Sequence, residues 1–275
     1  MNVMRVTMRT KARRLSGVCA LSALLGLAGC ASTAIDETAN WSSQKLYSEA
    51  KQELDTNNFE RANKLFEKLE GRASGTVLAQ QAQLERAYAM YRTGDRAQAL
   101  STIERFIKLH PSSAALDYAL YLQALINFNE NLGFLGSYTG QDLSERDQQA
   151  SRDSLQAFRQ LLEQFPQSRY APDARERMEY IHNSLATYEV HVARYYCKRG
   201  AYIAAANRAQ QTIAEFQTAP ITEEALHIMV RSYEQLGMTD LRDDAQRVLD
   251  RNFPNSTVRV GSGINPQPKR WWKVW

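Results

Sequence analysis

Apolar residues recur at helical spacing along most of this chain. Phe59, Ala62, Leu65, Phe66 and Leu69 form one such stripe. Ala99, Leu100, Ile103, Phe106 and Ile107 form a second, and Leu155, Phe158, Leu161, Leu162 and Phe165 a third. Each stripe keeps to one face of a helix of 3.6 residues per turn, which predicts amphipathic helices packed against a shared core. Strand-like alternation and proline are rare between Trp41 and Phe253, and helix formers dominate. The pattern predicts an all-α protein.

The punctuation between the stripes repeats. Gly94 precedes Pro111 by seventeen residues, and Gly237 precedes Pro254 by the same distance. A small residue follows five positions after the turn residue in Gly94–Ala99, Gly200–Ala205 and Asn57–Ala62. Asn is the usual substitute for Gly at a left-handed position. Helix ends rhyme as well, in Leu109-His110-Pro111, Phe165-Pro166, Phe216-Gln217 and Phe253-Pro254. This pattern resembles the tetratricopeptide repeat (TPR), a pair of antiparallel helices. Gly or Asn reverses the chain after the first helix, Ala lets the second approach closely, and Pro stops it by withholding an N–H. Five repeats are expected near residues 43–74, 77–112, 114–168, 171–217 and 221–255, stacked as a right-handed superhelix with a groove along its first helices. The third is lengthened by residues 127–151, read as a loop packed on the array, and the fourth by longer helices.

The N-terminus is of another kind. Arg5, Arg9, Lys11, Arg13 and Arg14 precede a short apolar run that ends in Leu27-Ala28-Gly29-Cys30. That run is too short to span a bilayer and reads as an export signal over residues 1–29. Leu-Ala-Gly-Cys resembles the bacterial lipobox, which implies a covalent lipid on Cys30 and a tether over residues 30–42. Ala31, rather than Asp, implies sorting to the outer membrane.

Charge and cysteine usage narrow the function. The signal holds five of the 34 basic residues, leaving 29 against 30 acidic ones and a formal charge of −1. The basicity of the whole chain therefore gives no reason to expect nucleic acid. Cys197 is the one cysteine remaining beyond Cys30, so no intrachain disulfide is expected. His110, His182, His191 and His227 are scattered, with no metal-ligand spacing, no phosphate loop and no nucleophile motif. No cofactor is expected beyond the lipid, and binding is a better expectation than catalysis. Tyr88, Tyr91, Arg92, Tyr118, Tyr121, Tyr188, Arg194, Tyr195 and Tyr196 offer interface anchors or inter-helix packing. Residues 256–275 read as a flexible tail, with Gly and Pro from Gly261 to Pro268 and an aromatic-basic end, Lys269-Arg270-Trp271-Trp272-Lys273-Val274-Trp275. That end suits a membrane interface or a partner's groove, or a return onto the last repeat.

With the lipobox and repeats in place, residues 117–122, 143–147, 164–170 and 193–208 resemble the BamD (ComL) lipoproteins of the outer-membrane β-barrel assembly (BAM) machinery. The last segment, Ala193-Arg194-Tyr195-Tyr196-Cys197-Lys198-Arg199-Gly200-Ala201-Tyr202 and onward to Asn207-Arg208, is the most specific. The tail resembles the betaproteobacterial branch. The resemblance implies a lipoprotein on the periplasmic face of the outer membrane. It implies that the C-terminal repeats bind the BamA POTRA domain nearest the barrel, alongside other BAM lipoproteins. It also implies that the N-terminal repeats receive C-terminal targeting signals of unfolded barrel proteins. Arg208 matches the family's BamA-holding arginine, with Asn207 beside it and Arg194 in the same segment. The chain departs from the family between repeats one and two, where residues 71–77 replace an aromatic Pro-Phe segment. A TPR lipoprotein of the Tol or peptidoglycan machinery is the alternative.

Overall fold

The structure is a computed structural model, and it describes residues 37–128 and 148–257. Cys30 and the stretch read as an export signal, most of the stretch read as a packed loop, and the Trp-rich end lie outside the described residues. Residues 37–42 belong to a unit apart from the helices, and there the Trp41 N–H donates to the Thr38 carbonyl at 3.0 Å. Ten helices follow among the described residues, and every regular element there is helical. They are α1 (Ser43–Asp55), α2 (Phe59–Arg72), α3 (Val77–Thr93), α4 (Arg96–Leu109) and α5 (Leu116–Asn127). After the undescribed segment come α6 (Gln148–Gln164), α7 (Ala171–Lys198), α8 (Tyr202–Glu215), α9 (Thr222–Gln235) and α10 (Thr239–Asn252).

Successive helices pack on one another from α1 to α10, and α3 also touches α5 while α7 touches α9. That is the order of stacked helix hairpins, with the first helices of neighbouring repeats sharing one side. The turn chemistry read from the sequence explains it. Asn57, Gly94, Gly200 and Gly237 have φ of 62°, 85°, 78° and 70°, a left-handed conformation that L side chains with a Cβ adopt at a cost. Each sits between the two helices of a hairpin. Ala62, Ala99 and Ala205, five residues on, are fully buried, so no side chain holds the second helix away. The second helices end alike, because His110, Phe216 and Phe253 take φ of −128°, −125° and −132° and donate back to Phe106, Thr212 and Leu249. The core follows the stripes, with Phe66, Phe106, Phe158 and Leu161 completely enclosed.

Two lengths differ from expectation. The extension of the fourth repeat is confined to α7, which runs 28 residues, while α8 has 14. Pro172 sits in the first turn of α7, where its missing N–H costs nothing, and no Gly or Pro interrupts the helix before Lys198. In the third repeat, Asn127 closes α5 and Gln148 opens α6, so both ends of the stretch read as a loop are helical. The Arg96 side chain donates to the Ile126 carbonyl at 2.9 Å and to the Asn127 carbonyl at 3.1 Å. These bonds satisfy carbonyls that the end of α5 would otherwise leave unpaired.

Candidate binding surfaces

The first helices of repeats one to three enclose a groove of about 740 Å³. Its apolar lining comes from Leu54 of α1, Val77, Leu84 and Tyr88 of α3, and Tyr118 of α5. Val77, the first residue of α3, lines the groove and is 79% exposed.

An aromatic ladder borders the groove. Tyr170, from the junction before α7, stacks on Tyr121 with centroids 4.7 Å apart and planes at 17°. The Tyr118 ring lies 5.5 Å from Tyr170, tilted at 37°, and Phe158 lies 6.1 Å from Tyr121. The hydroxyl of Tyr121 donates to Asp173 Oδ2 at 2.6 Å, and Arg177 Nε donates to the same oxygen at 2.6 Å. Ser168 donates to Asp117 Oδ2 at 2.7 Å. Burial raises the pKa of Tyr118, with the Glu85 charge adding to it. Burial raises that of Tyr121 too, followed by its hydrogen bond to Asp173. An acid with a raised folded-state pKa favours folding below its ordinary value near 10 and withdraws that support as pH rises past it. Stability is therefore expected to fall above pH 10, with these two phenols ionising only as the array opens. Ultraviolet titration of phenolate, run beside circular dichroism, checks this. Ionisation of all thirteen tyrosines near pH 10 with the fold intact would sink it.

At the other end, the residues singled out from sequence lie on neighbouring helices but engage different partners. Arg194 of α7 grips Glu224 of α9 with two parallel bonds, Nε to Oε1 and Nη2 to Oε2, both 2.7 Å. The Glu224 side chain is only 2% exposed. Arg194 thus spends its fork inside the chain, tying repeat four to repeat five. Arg208, half-buried on α8, donates Nη1 to Glu189 Oε2 at 2.8 Å. Glu189 also meets Arg152 of α6 at 3.4 Å, and Arg152 Nη1 donates to Glu215 at 2.6 Å. Asn207 is exposed beside Arg208. Glu189, Glu224 and Arg152 escaped the sequence reading because their partners lie 19 to 63 residues away, beyond any local spacing rule. Tyr170 and Arg169 were within the family-like segment, yet nothing local marked them as groove residues.

Residues 39–248 match the family model YfiO, described as an outer membrane lipoprotein, which takes in nearly all of the helical array. The chain is 45% identical to "Outer membrane protein assembly factor BamD" of Neisseria meningitidis, over 91% of this chain and 96% of that protein. This chain belongs to the YfiO/BamD family. Other BamD proteins match across similar lengths. That of Vibrio cholerae is 33% identical over 88% of this chain and 99% of its own. That of Haemophilus influenzae is 30% identical over 94% and 98%. The chain is of the betaproteobacterial type of BamD that the Neisseria proteins represent. Among the described residues, no helix is long and apolar enough to cross a membrane.

Proposed function

We propose that this chain is an outer-membrane protein assembly factor that acts by binding, as a member of the BAM complex. Lipid on Cys30 would hold it to the periplasmic face of the outer membrane. The observation that carries the reading is the match to BamD over nearly the full length of both chains. The groove on repeats one to three supports a receiving role. Its lining mixes leucines and tyrosines with charged and amide side chains, which suits an extended peptide that carries aromatics. Such peptides are the C-terminal signals of unfolded barrel proteins. Repeats four and five would dock the BamA POTRA domain nearest the barrel. Arg208 with exposed Asn207 would make the contact there, while Arg194 holds the two repeats in register. The superhelical form expected of stacked TPRs would place both surfaces on one frame.

Affinity purification of the lipidated protein from envelopes tests the assignment. BamA and further BAM lipoproteins are the expected companions. Recovery of Tol or peptidoglycan-synthesis proteins in their place would overturn it.

A further inference from the structure

The groove has a polarity that its apolar lining alone does not give. Two cations line it, Lys51 and Arg169. Lys51 Nζ donates to Glu85 Oε1 at 3.1 Å, so its charge is already matched within the groove. Arg169 is exposed and has no carboxylate in salt-bridge reach among the described residues. Its guanidinium lies 4.8 Å above the Tyr170 ring and donates to the Tyr170 hydroxyl at 2.6 Å. A cation held on an aromatic face keeps most of its donors free, because the ring offers no lone pairs in the plane of the fork. The groove's two carboxylates are both engaged. Glu85 takes Lys51, and Asp117 accepts from Ser168 and from the Tyr118 N–H. Asp117 is the acidic neighbour that a ligand would face at this end; its two donors are neutral, so it keeps a negative charge that also acts on Arg169. The groove therefore offers apolar surface from α1 to α5 and one guanidinium with no salt bridge among the described residues, beside the Tyr118–Tyr170–Tyr121 ladder.

We propose that Arg169 binds the terminal carboxylate of a peptide lying in the groove, so that the peptide's C-terminus points to the junction before α7 and its aromatic side chains lie toward α1 and α3. This rests on the receiving role proposed above. It adds an orientation, a recognised group and a specificity residue. A free C-terminus carries two oxygens that a guanidinium can meet with parallel bonds, whereas an amide offers one neutral oxygen. The groove would thus separate a chain end from the same sequence in mid-chain.

The test uses the full mature protein in detergent and one synthetic peptide of aromatic, alternating sequence ending in Phe. The peptide is made both as free acid and as C-terminal amide, and binding is read by fluorescence anisotropy. The free acid is expected to bind about five- to tenfold more tightly, and the preference is expected to vanish in Arg169→Gln. Arg169 is fully exposed, so this variant is expected to fold. Val77→Asp, at the exposed groove edge and the first turn of α3, is expected to weaken acid and amide alike. Wild-type binding without an acid preference, or a preference that survives Arg169→Gln, would overturn the carboxylate assignment while leaving the groove reading intact. Failure of both peptides to bind, or indifference of both to Val77→Asp, would overturn the groove reading and this inference with it.

Discussion

Arg194→Leu is expected to destabilise the C-terminal repeats by about 3–5 kcal/mol, the range for breaking a buried ion pair by removing one partner. The reason lies in Glu224. Its side chain is 2% exposed, and both its oxygens accept from Arg194 at 2.7 Å. Without Arg194 the carboxylate must either stay charged in a dry site or take up a proton, and both are costly. Glu224 stands in the first turn of α9, where the helix dipole favours a negative charge, but that effect is worth only about 0.3–1 kcal/mol at exposed sites and cannot offset the loss. Because stacked repeats hold mainly through their neighbours, the damage should concentrate at the α7–α9 seam. Hydrogen exchange should quicken in α9 and α10 well before α1 to α4, and the urea midpoint of the last repeats should drop. Replacing both residues, Arg194→Leu with Glu224→Leu, should recover most of the stability, since the orphaned charge is gone. A single variant that loses less than about 1 kcal/mol would show that Glu224 does not depend on Arg194. The double variant also separates two roles for Arg194. If it retains BamA, the arginine acts by holding repeat five in place; if it folds but releases BamA, the guanidinium is itself a contact.

How much of this was legible beforehand depends on the range of each interaction. The hairpin turns were legible because the left-handed positions demand particular residues. Asn57, Gly94, Gly200 and Gly237 announced four of the reversals, and the proline-marked stops followed. The single long α7 was less legible. Its signature is an absence, a run from Ala174 to Arg199 without Gly or Pro, and a reading keyed to repeat length divided that extra length over two helices. The groove was foreseen as a consequence of stacking, but not its residues. Tyr170 reaches Tyr121 and Tyr118 across about fifty positions of sequence. No periodicity links residues on α5 to a junction that the chain reaches only after α6. The same limit hid Glu189 and Glu224. Resemblance pointed to Arg208 and Arg194, and the structure supplied the carboxylates that decide what each can do.

Arg208→Glu is expected to release BamA from the purified complex, and the geometry predicts two separable causes. The first is local. Glu189 is nearly enclosed, with its side chain 7% exposed, and accepts from Arg208 at 2.8 Å. A glutamate at position 208 would face that buried carboxylate with like charge. Arg152 would then be the remaining cation at Glu189, at 3.4 Å and shared with Glu215. The second cause would act at the BamA-docking surface proposed above. Arg208 is 36% exposed and gives one Nη to Glu189, so its outward donors suit an acidic or carbonyl group on the partner. Truncating one side of a buried, hydrogen-bonded charge pair at an interface costs about 2–5 kcal/mol, which is roughly thirtyfold or more in affinity. Reversing the charge adds repulsion to that loss. Adding Glu189→Gln to Arg208→Glu should relieve the first cause alone, because the neutral amide can pair with the new carboxylate. Thermal stability should then return toward that of the wild type while BamA still fails to co-purify. If retention of BamA returns together with stability, Arg208 works as part of the α6–α7–α8 ion network and not as a contact. If Arg208→Glu alone holds BamA as well as the wild type does, Arg208 is not a BamA contact.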